Sequence, residues 1–371
     1  MPAITLIPKF NYFMNLKLLF TSLLFSFISN AQIPAGYYSS ATGTGYTLKT
    51  QLYNIIKDHD DNGYAGLYTT YQTSDRDFYY ENDGTILDMY SENPTGIDPY
   101  NYSIGSTQRC GSAGYSKESD CYNREHIIPQ SVFNEASPMK NDAHSVTPTD
   151  GQVNGLRAAF PHGIVASASK ITLNGSKLGS SGVSGYSGTV FEPIDEFKGD
   201  IARMYFYFAT RYQNTVAGYS FGMFNNTSDQ VFTNAFLTML YKWHTQDPVN
   251  AREIARNNAI YARQNNRNPY IDYPEWVKVV WGTVLKRDSF NNALTNVLIY
   301  PNPSKSNNIN IETETELDKI QLVNINGQIV QKIDYPKENQ KVYTLENLKR
   351  GVYFLKLYSN DKSITKKIII N

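Results

Sequence analysis

The sequence predicts an α+β protein: a mixed helical domain with an embedded ββα element, followed by a small all-β sandwich. Three observations carry that reading. Apolar residues recur at helical spacing between residues 48 and 281, they alternate at strand spacing beyond residue 309, and the turn-rich Tyr300-Pro301-Asn302-Pro303-Ser304 separates the two textures. With 371 residues the chain can bury a core in each of two domains. The division reads as a targeting segment over 1–31, a first domain over 32–290, a linker over 291–303 and a second domain over 304–371.

The targeting segment has the form of a secretory signal peptide. Lys17 precedes an uncharged run from Leu18 to Ile28, and Ser29-Asn30-Ala31 places small residues before a cleavage at Gln32. Met14 can serve as the start, because residues 1–13 add nothing such a peptide needs. The run is short for a bilayer span, and no segment of the mature chain reads as transmembrane. Export implies an oxidising destination, so Cys110 and Cys121 are expected to form a disulfide rather than two free thiols. Closing that short loop contributes roughly 2–3 kcal/mol through the unfolded chain. Two cysteines alone cannot make a zinc site.

Charge narrows the function. The whole chain is formally neutral, but residues 32–296 carry 21 basic and 26 acidic side chains, a net of −5. A protein that grips nucleic acid through a broad basic surface is thereby excluded. Contact with phosphate must be confined to a cleft or depend on a metal. The 29 tyrosines can stack on bases or sugars, although most tyrosines are half-buried packing.

Along the chain, Leu48, Leu52, Ile55 and Ile56 mark a first amphipathic helix. Asp58-His59-Asp60-Asp61-Asn62-Gly63 resembles the opening of a calcium loop, but the twelfth position is Thr69 and the flanks do not read as helices, so a polar turn is expected. Thr85 to Ser91 reads as a strand after the turn at Asn82-Asp83-Gly84. Residues 166–190, rich in Ser and Gly, read as an irregular or hairpin region. Ile201, Met204, Tyr205 and Phe208 share one helical face, and Phe232, Phe236, Met239, Leu240 and Trp243 another. Asp247-Pro248 reads as an N-cap and N1 proline opening a helix toward Gln264, and Pro274 to Trp281 as a last short helix. In the second domain Ile309/Ile311, Ile320/Leu322, Tyr353/Leu355/Leu357 and Ile368/Ile370 alternate as strands do, and Asn326-Gly327 marks a tight hairpin.

The chemistry concentrates in about thirty residues, Arg124-Glu125-His126, Asp142-Ala143-His144 and Asn154-Gly155-Leu156-Arg157. The residues before Glu125-His126 enter one strand, Asp142 to Val146 form a second, and Thr147-Pro148-Thr149-Asp150 caps a helix over 151–159. Glu125 and the amide oxygen of Asn154 suit one hard cation such as Mg²⁺, with Mn²⁺ or Ca²⁺ as substitutes, and the neighbouring His126 suits a general base. Adjacent strand residues point to opposite faces, so a bulge or a twisted strand end near Pro129 must bring Glu125 and His126 together. Arg157 shares a helix face with Asn154 and serves either a phosphate contact or a salt bridge. Asp142 and His144 read as a structural pair, Arg124 as structural, Asp200 and Arg203 as a pair on a helix surface, and His59, His162 and His244 as background.

Cys121 to Pro129, Asp142 to Pro148 and Gly151 to Arg157 together resemble secreted bacterial endonuclease I. Phe191-Glu192-Pro193, Lys198 to Arg203, Asp247-Pro248 and Asn268 to Asp272 extend the resemblance, in order, over roughly residues 33–285. It implies a nuclease domain built on a ββα-metal finger that cuts DNA, and often RNA, with little sequence preference and leaves 5′-phosphate ends. It implies Glu125 and Asn154 as Mg²⁺ ligands and His126 as the base. Some members carry a longer insert with a phosphate-steadying arginine; here His126 and Asp142 are sixteen apart with no arginine between, leaving Lys140 or Arg157 as substitutes. A common second histidine is Ser145 here. Tyr300 to Pro303, Gly327-Gln328, Leu348 to Tyr353 and the terminal Lys366 to Ile370 resemble a type IX secretion sorting domain. That implies secretion to the medium or cell surface, with the secretion machinery as a partner. A ribonuclease with weak DNA activity, or a surface nucleic-acid-binding or adhesion protein on a silent nuclease fold, are the competing readings.

Overall fold

The computed structural model describes residues 33–295, 297–359 and 362–371. The signal peptide read at 1–31 lies outside them. Helix α1 (Gly45–Ile56) buries Leu48, Leu52 and Ile56 along one stripe. The acidic segment after it is a polar turn, yet helices do flank it. Helix α2 (Gly63–Ser74) starts at the sixth position of the would-be loop, where the Gly63 N–H donates to Asp61 Oδ1 at 2.8 Å.

Thr85–Ser91 is not a strand. It pairs only at Ile86, which bridges to Arg76 and Tyr102. Asp88 then folds the chain into a turn: its Oδ1 accepts from the Tyr90 N–H at 2.9 Å and its carbonyl accepts from the N–H groups of Ser91 and Glu92 at 3.0 Å. Side-chain capping of this kind competes with a ladder.

Strand β1 (Tyr122–His126) pairs antiparallel with β2 (Val146–Asp150), and helix α3 (Gly151–Arg157) follows at once. This is the expected ββα order with a shifted second strand. Asp142–Ser145 forms a tight turn instead, because Asp142 accepts the His144 N–H on Oδ1 at 3.1 Å and the Ser145 N–H on its carbonyl at 2.9 Å. The serine- and glycine-rich region is a three-stranded meander of β3 (Val165–Ile171), β4 (Lys177–Ser181) and β5 (Thr189–Glu192).

Helix α4 (Lys198–Arg211) runs through the core, and every residue from Gly199 to Arg211 is buried. Asp200 and Arg203 are therefore not a surface pair. Arg203 grips Glu253 with two bonds of 2.6 Å, and Asp200 sits 3.8 Å from Arg203 and against Arg252. Helix α5 (Asn234–Gln246) packs on α4 with Phe236, Leu240 and Trp243 buried. Helix α6 (Ala251–Gln264) begins later than Asp247-Pro248 suggests, because Asn250 and Glu253 close a capping box. Helices α7 (Pro269–Asp272) and α8 (Trp276–Thr295) complete the domain, α8 being far longer than the short helix expected at its start.

Residues 291–303, read as a linker, hold the end of α8 and strand β6 (Leu298–Tyr300). The second domain continues with β7 (Ile309–Glu312), β8 (Lys319–Asn324), β9 (Ile329–Asp334), β10 (Val342–Leu345), β11 (Gly351–Ser359) and β12 (Lys362–Ile370). They form two antiparallel sheets, β10-β7-β6 and β12-β11-β8-β9, over a core that includes Ile309, Ile311, Ile320, Leu322, Leu355 and Leu357. The β8–β9 turn is not a two-residue Asn-Gly turn: its central residues are Ile325 and Asn326, the Gly327 N–H donates to the Asn324 carbonyl at 3.0 Å, and Gly327 then takes the left-handed φ of 83°.

Close approach, not φ, demands glycine at the start of α4. A Cβ on Gly199 would stand 2.0 Å from the Asp247 carbonyl oxygen and 2.8 Å from the Arg203 guanidinium. Gly199→Ala is expected to lower unfolding stability by about 1–3 kcal/mol, read from urea titration; an unchanged midpoint would contradict this packing.

Candidate active site

The ββα element is tied down from both ends. The Cys110–Cys121 disulfide is formed, and the Cys121 carbonyl accepts the Gly151 N–H at 2.9 Å, linking the bridge to the first residue of α3. Asp150 caps α3: Oδ1 accepts the Val153 N–H at 2.9 Å, and Oδ2 accepts Tyr102 Oη at 2.5 Å and the Ser119 N–H at 2.8 Å. Asp88 in turn accepts the Asp150 N–H at 2.8 Å and the Thr149 hydroxyl at 2.7 Å.

Glu125, His126, Asn154 and Arg157 border one cavity of about 260 Å³, which Arg124 and Glu135 also line. The β1–β2 ladder is in unbroken register through His126↔Val146, so no bulge is involved. The two adjacent side chains reach one cavity because β1 ends at His126.

Each group has a defined setting. Glu125 is 1% exposed; its Oε1 accepts Tyr90 Oη at 3.1 Å and lies 3.2 Å from Arg157 Nη1. Burial pushes its carboxyl up to about 7, against the opposing pull of Arg157. His126 turns Nε2 to the Lys140 carbonyl at 3.1 Å. A carbonyl only accepts, so Nε2 holds the ring hydrogen and the neutral ring keeps its lone pair on Nδ1. Burial holds His126 down at about 4, with the Lys140 hydrogen bond opposing. Tyr64 stacks on this ring at 5.9 Å between centroids. Asn154 donates its Nδ2 to Asn123 Oδ1 at 2.6 Å and to the Arg124 carbonyl at 3.1 Å, which directs its amide oxygen the other way.

Of the two roles expected for Arg157, the structure makes the salt bridge. Its guanidinium is 1% exposed and donates to the carbonyls of His126, at 2.7 Å, and of Ile127, besides facing Glu125. Arg124 donates to the Tyr64 carbonyl at 3.0 Å and lies 3.5 Å over that ring, and it also lines the cavity. Lys140 pairs with Glu135 at 2.6 Å.

Asp142 is a buried hub. Oδ1 accepts the His144 N–H at 3.1 Å and Gln264 Nε2 at 3.0 Å, and Oδ2 accepts Tyr207 and Tyr212 Oη at 2.8 Å each. The His144 ring bonds elsewhere, to the Asn266 carbonyl at 3.0 Å.

Sequence reasoning missed the layer behind Glu125. His162, taken as background, is fully buried, with Nε2 2.6 Å from Tyr90 Oη and Nδ1 2.8 Å from Tyr205 Oη. Tyr90 lies 35 positions from Glu125 and no local spacing marks it.

One ββα element thus carries a buried carboxylate, an amide and an imidazole to a single cavity. Residues 44–275 match the family model of endonuclease I, and the chain belongs to that family. Residues 298–371 match the secretion system C-terminal sorting domain. The chain is 33% identical over 253 residues to an extracellular ribonuclease of Bacillus amyloliquefaciens, covering 66% of this chain and 78% of that protein. An extracellular ribonuclease of Bacillus subtilis (strain 168) is 32% identical over 253 residues with the same coverage. Endonuclease-1 of Buchnera aphidicola subsp. Baizongia pistaciae is 29% identical over 133 residues, 36% of this chain and 46% of that one. The chain is thus a secreted or cell-surface nuclease with a type IX sorting domain. Among the described residues no helix is long and apolar enough to cross a membrane.

Two stability outcomes follow from these contacts. Arg157→Met strands the Glu125 charge in the interior and is expected to cost about 3–5 kcal/mol, with Glu125→Gln in the same chain restoring part of it; chemical denaturation of the three variants measures both. Asp142 is the second case. Burial alone would raise its carboxyl, but charge interactions with His59 and His144 and the Gln264 hydrogen bond outweigh this and bring it down to about 2. Its folded value lies below the unfolded one, so its stabilisation is complete above pH ~4 and disappears as pH falls through about 2, a loss of about 2 kcal/mol. Asp142→Asn should lack that acid-limb loss, and an unchanged pH profile would refute the role.

Proposed function

We propose that this nuclease hydrolyses phosphodiester bonds in DNA and RNA with little sequence preference, using His126 as general base and one Mg²⁺ held by Glu125 and Asn154. The observation that carries this reading is the convergence of these three side chains on one cavity, with the donor end of the Asn154 amide already spent and its oxygen left as a ligand. A carboxylate and an amide oxygen are the donor set a hard cation takes while keeping water of its own. When bound there, Mg²⁺, or Mn²⁺ or Ca²⁺ in its place, supplies positive charge against the scissile phosphate and the leaving oxygen.

The chain's own groups do the rest. His126 Nδ1 accepts the proton of the attacking water, and burial keeps the ring neutral near pH 7. The Lys140 carbonyl fixes the tautomer. Arg157 positions Glu125 and the strand end rather than reaching substrate. Of the cations remaining, Arg124 lines the cavity and Lys140 pairs with Glu135, which lines it too, so these two are the candidates to steady phosphate. Cleavage with water attacking opposite the 3′ oxygen gives 5′-phosphate ends.

RNA cleavage has its own support, because two relatives that match 66% of the chain are named extracellular ribonucleases. Digestion of matched DNA and RNA oligonucleotides measures the preference directly. His126→Ala is expected to slow plasmid cleavage by about 10²–10⁴-fold while circular dichroism stays unchanged. EDTA should abolish activity, with Mg²⁺ or Mn²⁺ restoring it. Full activity in His126→Ala, or in EDTA, would defeat this assignment.

A further inference from the structure

Away from the cavity, Asp77, Glu81 and Glu92 bring three carboxylate oxygens within 4.8 Å of one another. Two of these residues are deeply buried, Asp77 and Glu92 at 1% exposure each, while Glu81 is exposed and opens the cluster to solvent. Asp77 spends Oδ1 on the N–H groups of Tyr79 and Tyr80, at 3.1 and 3.0 Å, and its buried Oδ2 has no hydrogen-bond partner. Neither oxygen of Glu92 has one. A buried carboxylate with both oxygens bare is expensive in either protonation state: ionised it faces like charge, protonated it has an O–H with no acceptor.

We infer that Asp77, Glu81 and Glu92 form a second cation site, distinct from the candidate catalytic one, that takes Ca²⁺. Three carboxylates, one of them bare on both oxygens, suit the many-oxygen shell of Ca²⁺ at about 2.3–2.6 Å better than Mg²⁺, which keeps its waters and uses one or two carboxylates. The charges around it agree. Burial first, then the negative charge of Asp98, Glu81 and Asp77, pushes the Glu92 carboxyl up to about 9; Arg252 opposes this, but it stands against Asp200. A divalent cation reverses the sign of that field.

The site has a structural use. Glu92 ends the turn that Asp88 begins, and that turn carries Tyr90 against Glu125 and holds the N-cap residue of α3. A cation joining Glu92 to Asp77 locks this turn to the neighbouring segment.

The test is calorimetric titration of the EDTA-stripped full secreted chain with Ca²⁺ alone, in a Glu125→Gln, Asn154→Ala background that removes the candidate catalytic ligands. One Ca²⁺ is expected to bind, with Kd on the order of 10⁻⁴ M or tighter, and to raise the melting temperature. Adding Glu92→Gln should abolish binding. Adding Glu81→Gln, at an exposed position where folding is safe, should weaken it by roughly tenfold or more. No Ca²⁺ binding in the background chain, or binding unchanged by both further substitutions, would overturn the site. Mg²⁺ binding as tightly as Ca²⁺ would overturn the choice of ion.

Discussion

The buried contact between Glu125 and Arg157 is the constraint on which the candidate site depends. Arg157 is the last residue of α3, and it faces the Glu125 carboxylate while donating to the carbonyls of His126 and Ile127. One planar guanidinium therefore holds a side chain and the backbone end of the strand that carries it. Desolvating two charges offsets most of the Coulomb gain of such a pair, so its value lies less in stability than in geometry. It stops β1 at His126, and that strand end lets two adjacent residues serve one cavity. The arrangement is preorganised before any substrate arrives, which is what a catalytic constellation needs.

Behind that contact, helix α4 supplies polar groups to the interior. Tyr205 reaches His162, His162 reaches Tyr90, and Tyr90 reaches Glu125. A few residues along the same helix, Tyr207, and just past it Tyr212, both end on Asp142. A tyrosine combines a large apolar body with a hydroxyl tip, so a helix buried on all sides can pack as core and still satisfy buried carboxylates. This accounts for part of the tyrosine richness without invoking stacking on bases.

The acidity of the first domain has a similar explanation. Asp75, Asp77, Asp88, Glu92, Glu125, Asp142, Asp150, Asp200 and Glu253 are all buried, and many meet buried arginines or hydroxyls. Net charge counted along the chain therefore overstates the negative charge a nucleic acid meets. Folding has turned carboxylates inward as hubs and caps, and the cavity retains Arg124 at its edge.

Much of the architecture was legible because its signals are local. Apolar spacing located the core helices, alternation and Asn326-Gly327 located the sandwich, and Glu125, His126 and Asn154 stood out by residue type and order. Errors fell where a side chain competes with the ladder or cap that propensity suggests: Asp88 dissolved a strand, Asp142 displaced β2 toward Asp150, and Asn250 moved the start of α6. The sequence by itself determined the class, the division into a helical and a β domain, the disulfide pair and the residue types that meet at the cavity, because each is written in short-range pattern and composition. Tertiary structure alone decided that Arg157 turns inward, that His162 and Tyr90 stand behind Glu125, and that Asp77, Glu81 and Glu92 meet. Those contacts join residues far apart in the chain through packing, and packing leaves no mark on local spacing.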